Sequence, residues 1–442
     1  MPEDSCLRPF LRIIVVAAAF LVIAELSAGV VHAELPVMGK AATADAWLRV
    51  NGDTPLLTAE ACAELARVNV QRGLTYDLTA AADARVGDLV RMQIHAAAQG
   101  YDETLPDLYD GGQPLTAERW QSVCANRAVE SLGAIIDVRP AVAVRRADVR
   151  LLPTADGWFS MPHDVHYDAL QGTVIDPREA VLVLHTAADG HFAFVETRDY
   201  HGWVDVDALA YADWETWRGF AAPEEFFTVT AAQLRLAEAG REHLYQLGAK
   251  IPGTRATDGT IHLYLPVRDA GGHLAVQEVR RTDDGSLTEG RLPLTHNNLI
   301  RLAFRPLRTE YGWGGGNDGM DCSSYVQNIY RAMGVELPRD ADMQERACTL
   351  LPLTGRTTAE RYECLAHAPP GALLFRPGHV MLYLGQDAGG IPYVIHDISS
   401  YYEDGVQHYI RQVVVSTLDF QNERGTAAID TLTAIGLIAP AP

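Results

Sequence analysis

The stretch from Tyr311 to Gly334, which reads YGWGGGNDGMDCSSYVQNIYRAMG, constrains the fold more than any other part of the chain. A glycine-rich turn passes directly into a segment whose apolar residues recur at helical spacing. Asp321 suits the N-cap position and Gly334 suits the end of a helix. We therefore expect a helix that begins at Cys322 and is buried along one side. Its predicted buried stripe consists of Tyr325, Val326, Ile329, Tyr330 and Met333.

A cysteine in the first turn of a helix can be a structural thiol or a nucleophile, and residue spacing alone leaves both interpretations open. The helix dipole and the unpaired backbone N–H groups favour a thiolate, so we predict a lowered pKa for Cys322 and a nucleophilic sulfur. The same N–H groups could stabilise an oxyanion. A phosphate-binding loop is a poor alternative because the turn lacks the Gly-Lys-Ser/Thr ending. A serine nucleophile at Ser323 or Ser324 lacks the GxSxG elbow.

Two histidines downstream could serve such a cysteine. His379 opens the apolar run of PGHVMLYLG, which is typical of a strand inside a sheet. After the turn QDAGGIP, the segment YVIHDIS predicts the adjacent antiparallel strand, with His396 on the same face as Val394 and Ile398. The pattern predicts a Cys322–His379–His396 relay in which His379 is the general base and His396 orients it.

A metal site is the competing interpretation of these residues. Cys322 could combine with His379, His396, Asp397 or His408, but none of them shows the HExxH or paired-cysteine spacing of a zinc site. We therefore expect no metal and no cofactor.

The chain as a whole is too long for one core. Its 442 residues predict two to four domains. The formal net charge of -21 argues against a nucleic-acid partner and suits a cationic or neutral substrate.

The N-terminus has the features of a secretory signal. Arg8 and Arg12 precede a long apolar run, and the segment Val31-His32-Ala33 resembles a cleavage site. We expect a signal peptide over residues 1–33 and a secreted or periplasmic protein, with an uncleaved membrane anchor as the alternative. No other segment is long and apolar enough to span a bilayer.

Cleavage would remove Cys6 and leave an odd number of cysteines in an oxidising compartment, so at least one thiol should stay free. Cys348 and Cys364 could form a disulfide, and two buried thiols are an equal expectation. The five remaining cysteines are Cys62, Cys124, Cys322, Cys348 and Cys364.

The residue patterns divide the mature chain into four parts and predict a multidomain α+β protein. Residues 34–143 contain three helical patterns that begin at the potential N-caps Thr58, Thr79 and Thr116. Short apolar runs separated by turns predict two small β-barrels, and mixed helix and strand signals follow. The predicted barrels cover residues 144–213 and 224–297, and the mixed domain covers residues 298–442.

The motifs together resemble a known family. The block AFRPLRTEYGWGGGNDGMDCSSYVQNIYRAMGVELPRDADMQ, with PGALLFRPGHVMLYLG and YVIHDIS, is similar to the NlpC-type papain-like cell-wall cysteine peptidases. The order of parts resembles the members with an N-terminal helical stabilising domain and two bacterial SH3-like domains. The segments ADVRLLPT, HTAADGHFAFVETRDYHGWVDVDALA and GRLPLTHNNLIRLAF carry that likeness.

The resemblance implies hydrolysis of the bond between γ-D-glutamate and a diamino acid, meso-diaminopimelate or lysine, in peptidoglycan stem peptides or muropeptides. It assigns the catalytic roles to Cys322, His379 and His396. It also implies that the first SH3-like domain closes one end of the cleft, so that peptides with a free N-terminal L-alanine are preferred.

The same resemblance implies a dipeptide pocket. Asp321 could pair with the ammonium of L-alanine, and Arg339 could meet the α-carboxylate of D-glutamate or hold Asp321. The glycines are expected to let the backbone run beneath the substrate. Ser324 and Ala341 depart from the family pattern, and Tyr167 or Asp168 of the first barrel could reach the substrate amine. The implied pocket residues are Tyr311, Trp313, Asp321, Ser323 and Arg339.

Two other classes of function remain as alternatives. One is a cell-wall peptide-binding protein with a degenerate catalytic domain, although such a protein has no need of the complete cysteine and histidine set. The other is a papain-like amidase or acyltransferase that acts on another substrate. The sequence does not indicate an oligomeric state.

Overall fold

The computed structural model describes residues 35–238 and 241–439. The predicted signal peptide, residues 1–33, lies outside this part of the chain. Within the described ranges, no helix is both long and apolar enough to cross a membrane.

The N-terminal region is mainly helical. Thr58 and Thr116 cap the first and third helices through their side chains, which confirms two of the three predicted N-caps. Its helices are α1 (Ala59–Gln71), α2 (Gly87–Ala97) and α3 (Ala117–Asn126), and its strands are β1 (Ala84–Val86), β2 (Tyr109–Asp110), β3 (Gln113–Pro114) and β4 (Ile135–Asp137).

The predicted helix start at Thr79 was wrong. Residues Leu78–Ala80 form a short 3-10 turn, and α2 begins only at Gly87. The cause is long-range pairing. Strand β1 pairs in antiparallel register with β4, so its backbone is extended where the prediction had a helix.

A seven-stranded antiparallel sheet follows, in the order β12-β5-β9-β10-β11-β6-β8. The turn at Asp189-Gly190 joins β9 to β10, and Gly190 takes the positive φ of 74° that this turn requires. The strands are β5 (Arg139–Ala143), β6 (Ala147–Arg150), β7 (Trp158–Phe159), β8 (Gln171–Ile175), β9 (Ala180–Thr186), β10 (Phe192–Glu196), β11 (His201–Asp205) and β12 (Leu209–Tyr211), of which β7 pairs instead with β2.

The short helix α4 (Trp214–Ala221) leads to a second β region. It contains a five-stranded sheet in the order β18-β17-β16-β13-β19 and the hairpin β14-β15. The strands are β13 (Phe226–Val229), β14 (Gln233–Glu238), β15 (Arg241–Gln246), β16 (Lys250–Arg255), β17 (Ile261–Arg268), β18 (Leu274–Arg281) and β19 (Leu287–Glu289).

The C-terminal region packs helices against a six-stranded antiparallel sheet in the order β20-β25-β21-β22-β23-β24. Its helices are α5 (His296–Ala303), α6 (Cys322–Ala332), α7 (Ala341–Ala347), α8 (Thr358–His367) and α9 (Ala428–Thr431). Its strands are β20 (Thr349–Pro352), β21 (Leu373–Arg376), β22 (His379–Gln386), β23 (Pro392–Glu403), β24 (Val406–Ser416) and β25 (Ala434–Leu437). The architecture is multidomain α+β, as predicted.

Helix α6 lies at the centre of this region, and all eleven of its residues are buried. The prediction that it is buried along one side was therefore incomplete. The first β region covers the polar side of the helix: Gln327 donates a 2.6 Å hydrogen bond to Asp199, and Arg331 forms a 3.0 Å ion pair with Glu179. Such partners are needed because an unpaired buried charge is costly.

The division into domains stays a prediction. The described residues belong to one compact unit, and β2 of the helical region pairs with β7 of the first β region. The helical region, the two β regions and the C-terminal region are therefore named below by their position in the chain.

Candidate active site

The start of α6 is fixed by a reciprocal capping box. The Asp321 carboxylate accepts the N–H of Ser324 at 2.9 Å, and the Ser324 hydroxyl accepts the N–H of Asp321 at 2.9 Å. This arrangement satisfies two of the donors that a helix start leaves unpaired. Ser324, which departs from the family pattern, thus has a structural function here.

Arg339 binds Asp321 rather than pointing freely into the cleft. Its guanidinium donates to both oxygens of Asp321, at 3.1 and 2.6 Å, and also to the hydroxyls of Ser323 and Thr173, at 2.8 and 2.6 Å. Burial raises the pKa of Asp321, but the adjacent guanidinium outweighs this and holds the pKa below its ordinary value. Of the two roles considered for Arg339, the structure favours the one that holds Asp321.

The glycine-rich turn closes against the first β region. Gly314 has a φ of 57°, and a side chain there would come within 2.8 Å of the Gln171 backbone. The Gln171 side chain donates a hydrogen bond to the backbone carbonyl of Gly314. The backbone N–H of Gly314 in turn donates to the Asp321 carboxylate at 3.1 Å. The glycines therefore permit close packing on β8, which is a different reason from the predicted passage beneath the substrate.

The two predicted histidines lie on neighbouring strands and contact each other. Nε2 of His379 is 2.8 Å from Nδ1 of His396, and Nε2 of His396 is 3.0 Å from the hydroxyl of Ser416. His396 has no exposed surface, and its ring packs 5.6 Å from that of Phe420. The strand pairing of β22 with β23 and of β23 with β24 positions the three side chains as a chain of hydrogen bonds.

Cys322 lies at the base of a cleft and is 7% exposed. The backbone N–H of Val380 hydrogen-bonds the sulfur, which places the sulfur against the residue that follows His379. The prediction of a lowered thiol pKa was wrong. Burial and the charge of Asp321 raise the pKa of Cys322 to about 12. The hydrogen bond from the Val380 N–H lowers the pKa, but by less than these two effects raise it.

Burial has the opposite effect on the imidazoles. It lowers the pKa of His379 well below its ordinary value, with further contributions from His396 and Arg376, and it lowers the pKa of His396 to about 3. The shifts favour an uncharged thiol beside an uncharged imidazole. Transfer of a proton from Cys322 to His379 leaves the net charge of the site unchanged.

The cleft has a volume of about 700 Å³ and is built from three parts of the chain. Tyr311 and Trp313 of the glycine-rich turn form one wall, and Trp313 is 45% exposed. All the predicted pocket residues line it, including Asp321, Ser323 and Arg339, and so does Ala341. The helical region and the first β region supply Gln99, Tyr101, Leu108, Ser160, Tyr167, Gln171 and Tyr200.

Tyr167 and Asp168 have different functions. Tyr167 lines the cleft, where its ring lies 6.4 Å from that of Trp313 and its hydroxyl accepts a 3.3 Å hydrogen bond from Arg411. Asp168 is engaged elsewhere, since it pairs with Arg150 at 2.5 Å and accepts the N–H of Trp158 at 3.0 Å. Tyr167 is therefore the one of the two that can meet a substrate.

The competing metal site finds no support in the described ranges, which contain no group of three or more His, Cys, Asp or Glu placed to hold a metal ion. Asp397 follows His396 on β23, so its side chain points to the opposite face of the sheet. It is fully buried, and burial raises the pKa of its carboxyl well above the ordinary value. The neutral acid is a poor metal ligand.

The structure also shows whether the cysteines form disulfides. In the part of the chain that the structure describes, Cys62, Cys124, Cys322, Cys348 and Cys364 are all free thiols. Of the two expectations for Cys348 and Cys364, the structure shows the one without a disulfide.

Several residues that line the cleft were not predicted from the sequence. Tyr200, Gln171 and Tyr101 come from distant segments, and nothing in their local sequence indicates the cleft. The position of Arg376 could have been predicted from the sequence. Pro377 and Gly378 are typical of a two-residue hairpin turn, which places Arg376 opposite His379.

Parts of the chain are similar to known families and structures. Residues 308–413 match the model of the NlpC/P60 family, and residues 158–205 match that of the SH3 domain of the SH3b1 type. A 90-residue segment, 20% of this chain, is 38% identical to Dipeptidyl-peptidase 6 of Lysinibacillus sphaericus, but covers only 29% of that protein.

Among solved structures, an NlpC/P60 endopeptidase from Photobacterium damselae subsp. piscicida superposes with a TM-score of 0.75. The match covers 90% of this chain and 98% of that one at 16% identity, so it shows a shared fold over most of the chain. An NlpC/P60 family protein from Bacillus cereus matches with a TM-score of 0.48 at 17% identity, covering 68% of this chain and all of the other.

Proposed function

The chain carries an NlpC/P60 domain together with an SH3 domain of the SH3b1 type, and from this premise we propose that it is a cell-wall cysteine peptidase. Its substrates are stem peptides or muropeptides of peptidoglycan. It hydrolyses the bond between γ-D-glutamate and the diamino acid, prefers a free N-terminal L-alanine, and acts outside the cytoplasm. The observation that carries the proposal is that Cys322 lines a cleft and contacts the backbone of Val380, the residue after His379, whose ring lies 2.8 Å from that of His396.

The hydrogen-bond chain supports the role of His379 as base. If His396 donates from Nε2 to the Ser416 hydroxyl, its Nδ1 must accept, and the hydrogen between the two rings then belongs to Nε2 of His379. This tautomer leaves Nδ1 of His379 with the lone pair. His396 and Ser416 thus hold the base in the form that can take the proton of Cys322.

The chemistry then follows two steps. The Cys322 sulfur attacks the γ-glutamyl carbonyl while its proton moves to His379, and the resulting imidazolium protonates the leaving amine of the diamino acid. The first-turn N–H of Cys322 supplies a donor for the oxyanion. Water, deprotonated by His379, next hydrolyses the thioester and releases the acyl peptide.

The cleft supports selection of a short, unblocked N-terminus. Asp321 is held ionised by Arg339 and lines the cleft, so it can bind the ammonium of L-alanine. The first β region encloses the same end with Tyr167 and Gln171, and the rings of Tyr311 and Trp313 can cover the small side chain. An N-acyl group at this end would have to displace packed residues.

The decisive test uses the purified full chain and the defined tripeptide L-Ala-γ-D-Glu-meso-diaminopimelate. Mass analysis should detect free diaminopimelate and the L-Ala-D-Glu dipeptide, and N-acetylation of the substrate should greatly reduce the rate. The variant Cys322→Ala should be inactive, whereas Cys364→Ala, which changes a half-buried cysteine outside the cleft, should match the unaltered protein.

Other results would identify the alternatives. Retention of intact peptidoglycan without any soluble product would indicate a binding protein. Cleavage of a different bond in a larger muropeptide, with the tripeptide left intact, would indicate an amidase or a related acyl-transfer enzyme. Activity that survives Cys322→Ala would refute the cysteine mechanism.

A further inference from the structure

The hairpin that carries His379 also carries an arginine. Arg376 at the end of β21 is the direct antiparallel partner of His379 at the start of β22, across the turn formed by Pro377 and Gly378. Gly378 has a φ of 70°, which suits the third position of such a turn. Directly paired residues present their side chains on the same face, about 5 Å apart at Cβ. The arginine is therefore a neighbour of the base.

Arg376 is a cation without a counter-ion. It lines the cleft with its guanidinium 5.5 Å above the ring of Phe420, and its Nε is buried without a hydrogen-bond partner among the described residues. No ion pair joins it to any acid in the same ranges. Burial lowers the pKa of the guanidinium, which reflects the cost of holding this charge unpaired.

The other arginine of the cleft differs in this respect. Every nitrogen of Arg339 donates to Asp321, Ser323 or Thr173, so its guanidinium is held by the protein itself. Of the two arginines that line the cleft, Arg376 is therefore the one that no ion pair to the described residues holds in place.

An acid without an ion pair among the described residues lines the same cleft. Glu345 of α7 lines the cleft and accepts a 2.8 Å hydrogen bond from the hydroxyl of Thr433, which itself contacts the carbonyl of Phe375, the residue before Arg376. Within the described chain Glu345 has no basic partner. A cation and an anion that line one cleft without pairing match a ligand that carries both charges.

We propose that Arg376 binds a carboxylate of the diamino acid on the leaving side of the scissile bond. The inference rests on the proposed function. It follows from position, because the leaving amine must lie beside His379, and Arg376 is the cross-strand partner of His379. Glu345 then stands near the ammonium of the same residue. Meso-diaminopimelate offers both an α-carboxylate and a side-chain carboxylate, whereas lysine offers only the first.

The experiment measures kcat/KM for four peptides with the full-length protein. They are L-Ala-γ-D-Glu-meso-diaminopimelate, its side-chain carboxamide, its α-carboxamide, and the peptide in which the D-glutamate α-carboxylate is an amide. We expect amidation of one diaminopimelate carboxylate to reduce kcat/KM about tenfold or more, because the amide loses a charge-assisted pair. The arm that shows the loss identifies which carboxylate is bound.

The variants assign that preference to Arg376. Arg376→Gln should have the same kcat/KM on the tripeptide and on the carboxamide that the unaltered protein disfavours. Arg376→Lys should restore part of the preference for the free carboxylate. Arg346→Gln, which changes an exposed arginine of α7 outside the cleft, should behave like the unaltered protein. Melting curves of each variant check folding.

The possible results separate the inference from its premise. Equal rates of the unaltered protein on the tripeptide and both diaminopimelate amides would overturn the inference without any variant and would leave the proposed function intact. A loss confined to the D-glutamate amide would also overturn it, because the carboxylate would then lie on the acyl side. Failure to cleave any of the four peptides would refute the proposed function itself, and the inference with it.

Discussion

Nε2 of His379 lies 2.8 Å from Nδ1 of His396, and the second ring is fully buried between β22 and β24. A buried imidazole with hydrogen bonds at both nitrogens cannot rotate freely, so it fixes the orientation and the tautomer of the ring that it contacts. This relationship links the strand pairing to the reactivity of the cysteine.

Replacing His396 should therefore impair catalysis more than binding. We expect His396→Ala to lower kcat on the diaminopimelate tripeptide about 100-fold or more, because the base loses its orienting partner. Ser416→Ala should cost about tenfold, in line with one neutral hydrogen bond. Steady-state kinetics with KM nearly unchanged would support this, whereas an unchanged kcat in His396→Ala would exclude the relay.

The pH dependence of activity should reflect the lowered pKa of His379. The active form needs a neutral imidazole, and burial, His396 and Arg376 all disfavour its protonation. The neutral base therefore persists as the pH falls below the ordinary histidine value of about 6.5. The acid limb of kcat/KM should have its midpoint below that value, and a midpoint at or above pH 7 would contradict the structure.

Alkylation of the free protein should report the raised pKa of Cys322. Because the thiol is the protonated form, its reaction with iodoacetamide should keep accelerating with pH beyond the ordinary thiol value of roughly 8.5. Mass analysis of the peptide that contains Cys322 distinguishes it from the other cysteines. A plateau near pH 6 would instead indicate that a thiolate–imidazolium pair already exists without substrate.

The Asp321–Arg339 pair should contribute strongly to stability. Both side chains are buried, so Arg339→Gln would leave an uncompensated carboxylate beside the nucleophile. We expect the free energy of unfolding to fall by about 3–5 kcal/mol, measured by chemical denaturation. Arg67→Ala, which breaks the exposed pair with Glu64, is the control and should leave the denaturation midpoint nearly unchanged. If the two changes lower the free energy of unfolding equally, the buried pair stabilises the fold no more than the exposed pair does.

The sequence predicted those parts of the site that depend on local patterns. The helical spacing after Asp321 located the start of α6, and the two apolar runs around His379 and His396 predicted adjacent antiparallel strands. The family resemblance added Trp313 and Arg339, and both line the cleft.

Features that depend on long-range packing could not be predicted in the same way. The full burial of α6, the late start of α2 and the raised pKa of Cys322 all arise from segments that are distant in the chain. Helix dipole and spacing describe an isolated helix, but the desolvation that dominates the thiol depends on what covers it.

The three-part cleft has a consequence for the maturation of the protein. Tyr101 of the helical region and Tyr167 of the first β region are separated from Cys322 by more than 150 positions, yet they line the same cavity. A chain whose C-terminal region has folded alone would possess Cys322 without the part of the cleft that the helical region and the first β region supply. Under the proposed function, selectivity would thus be a property of the assembled chain and would arise only when these distant segments have met.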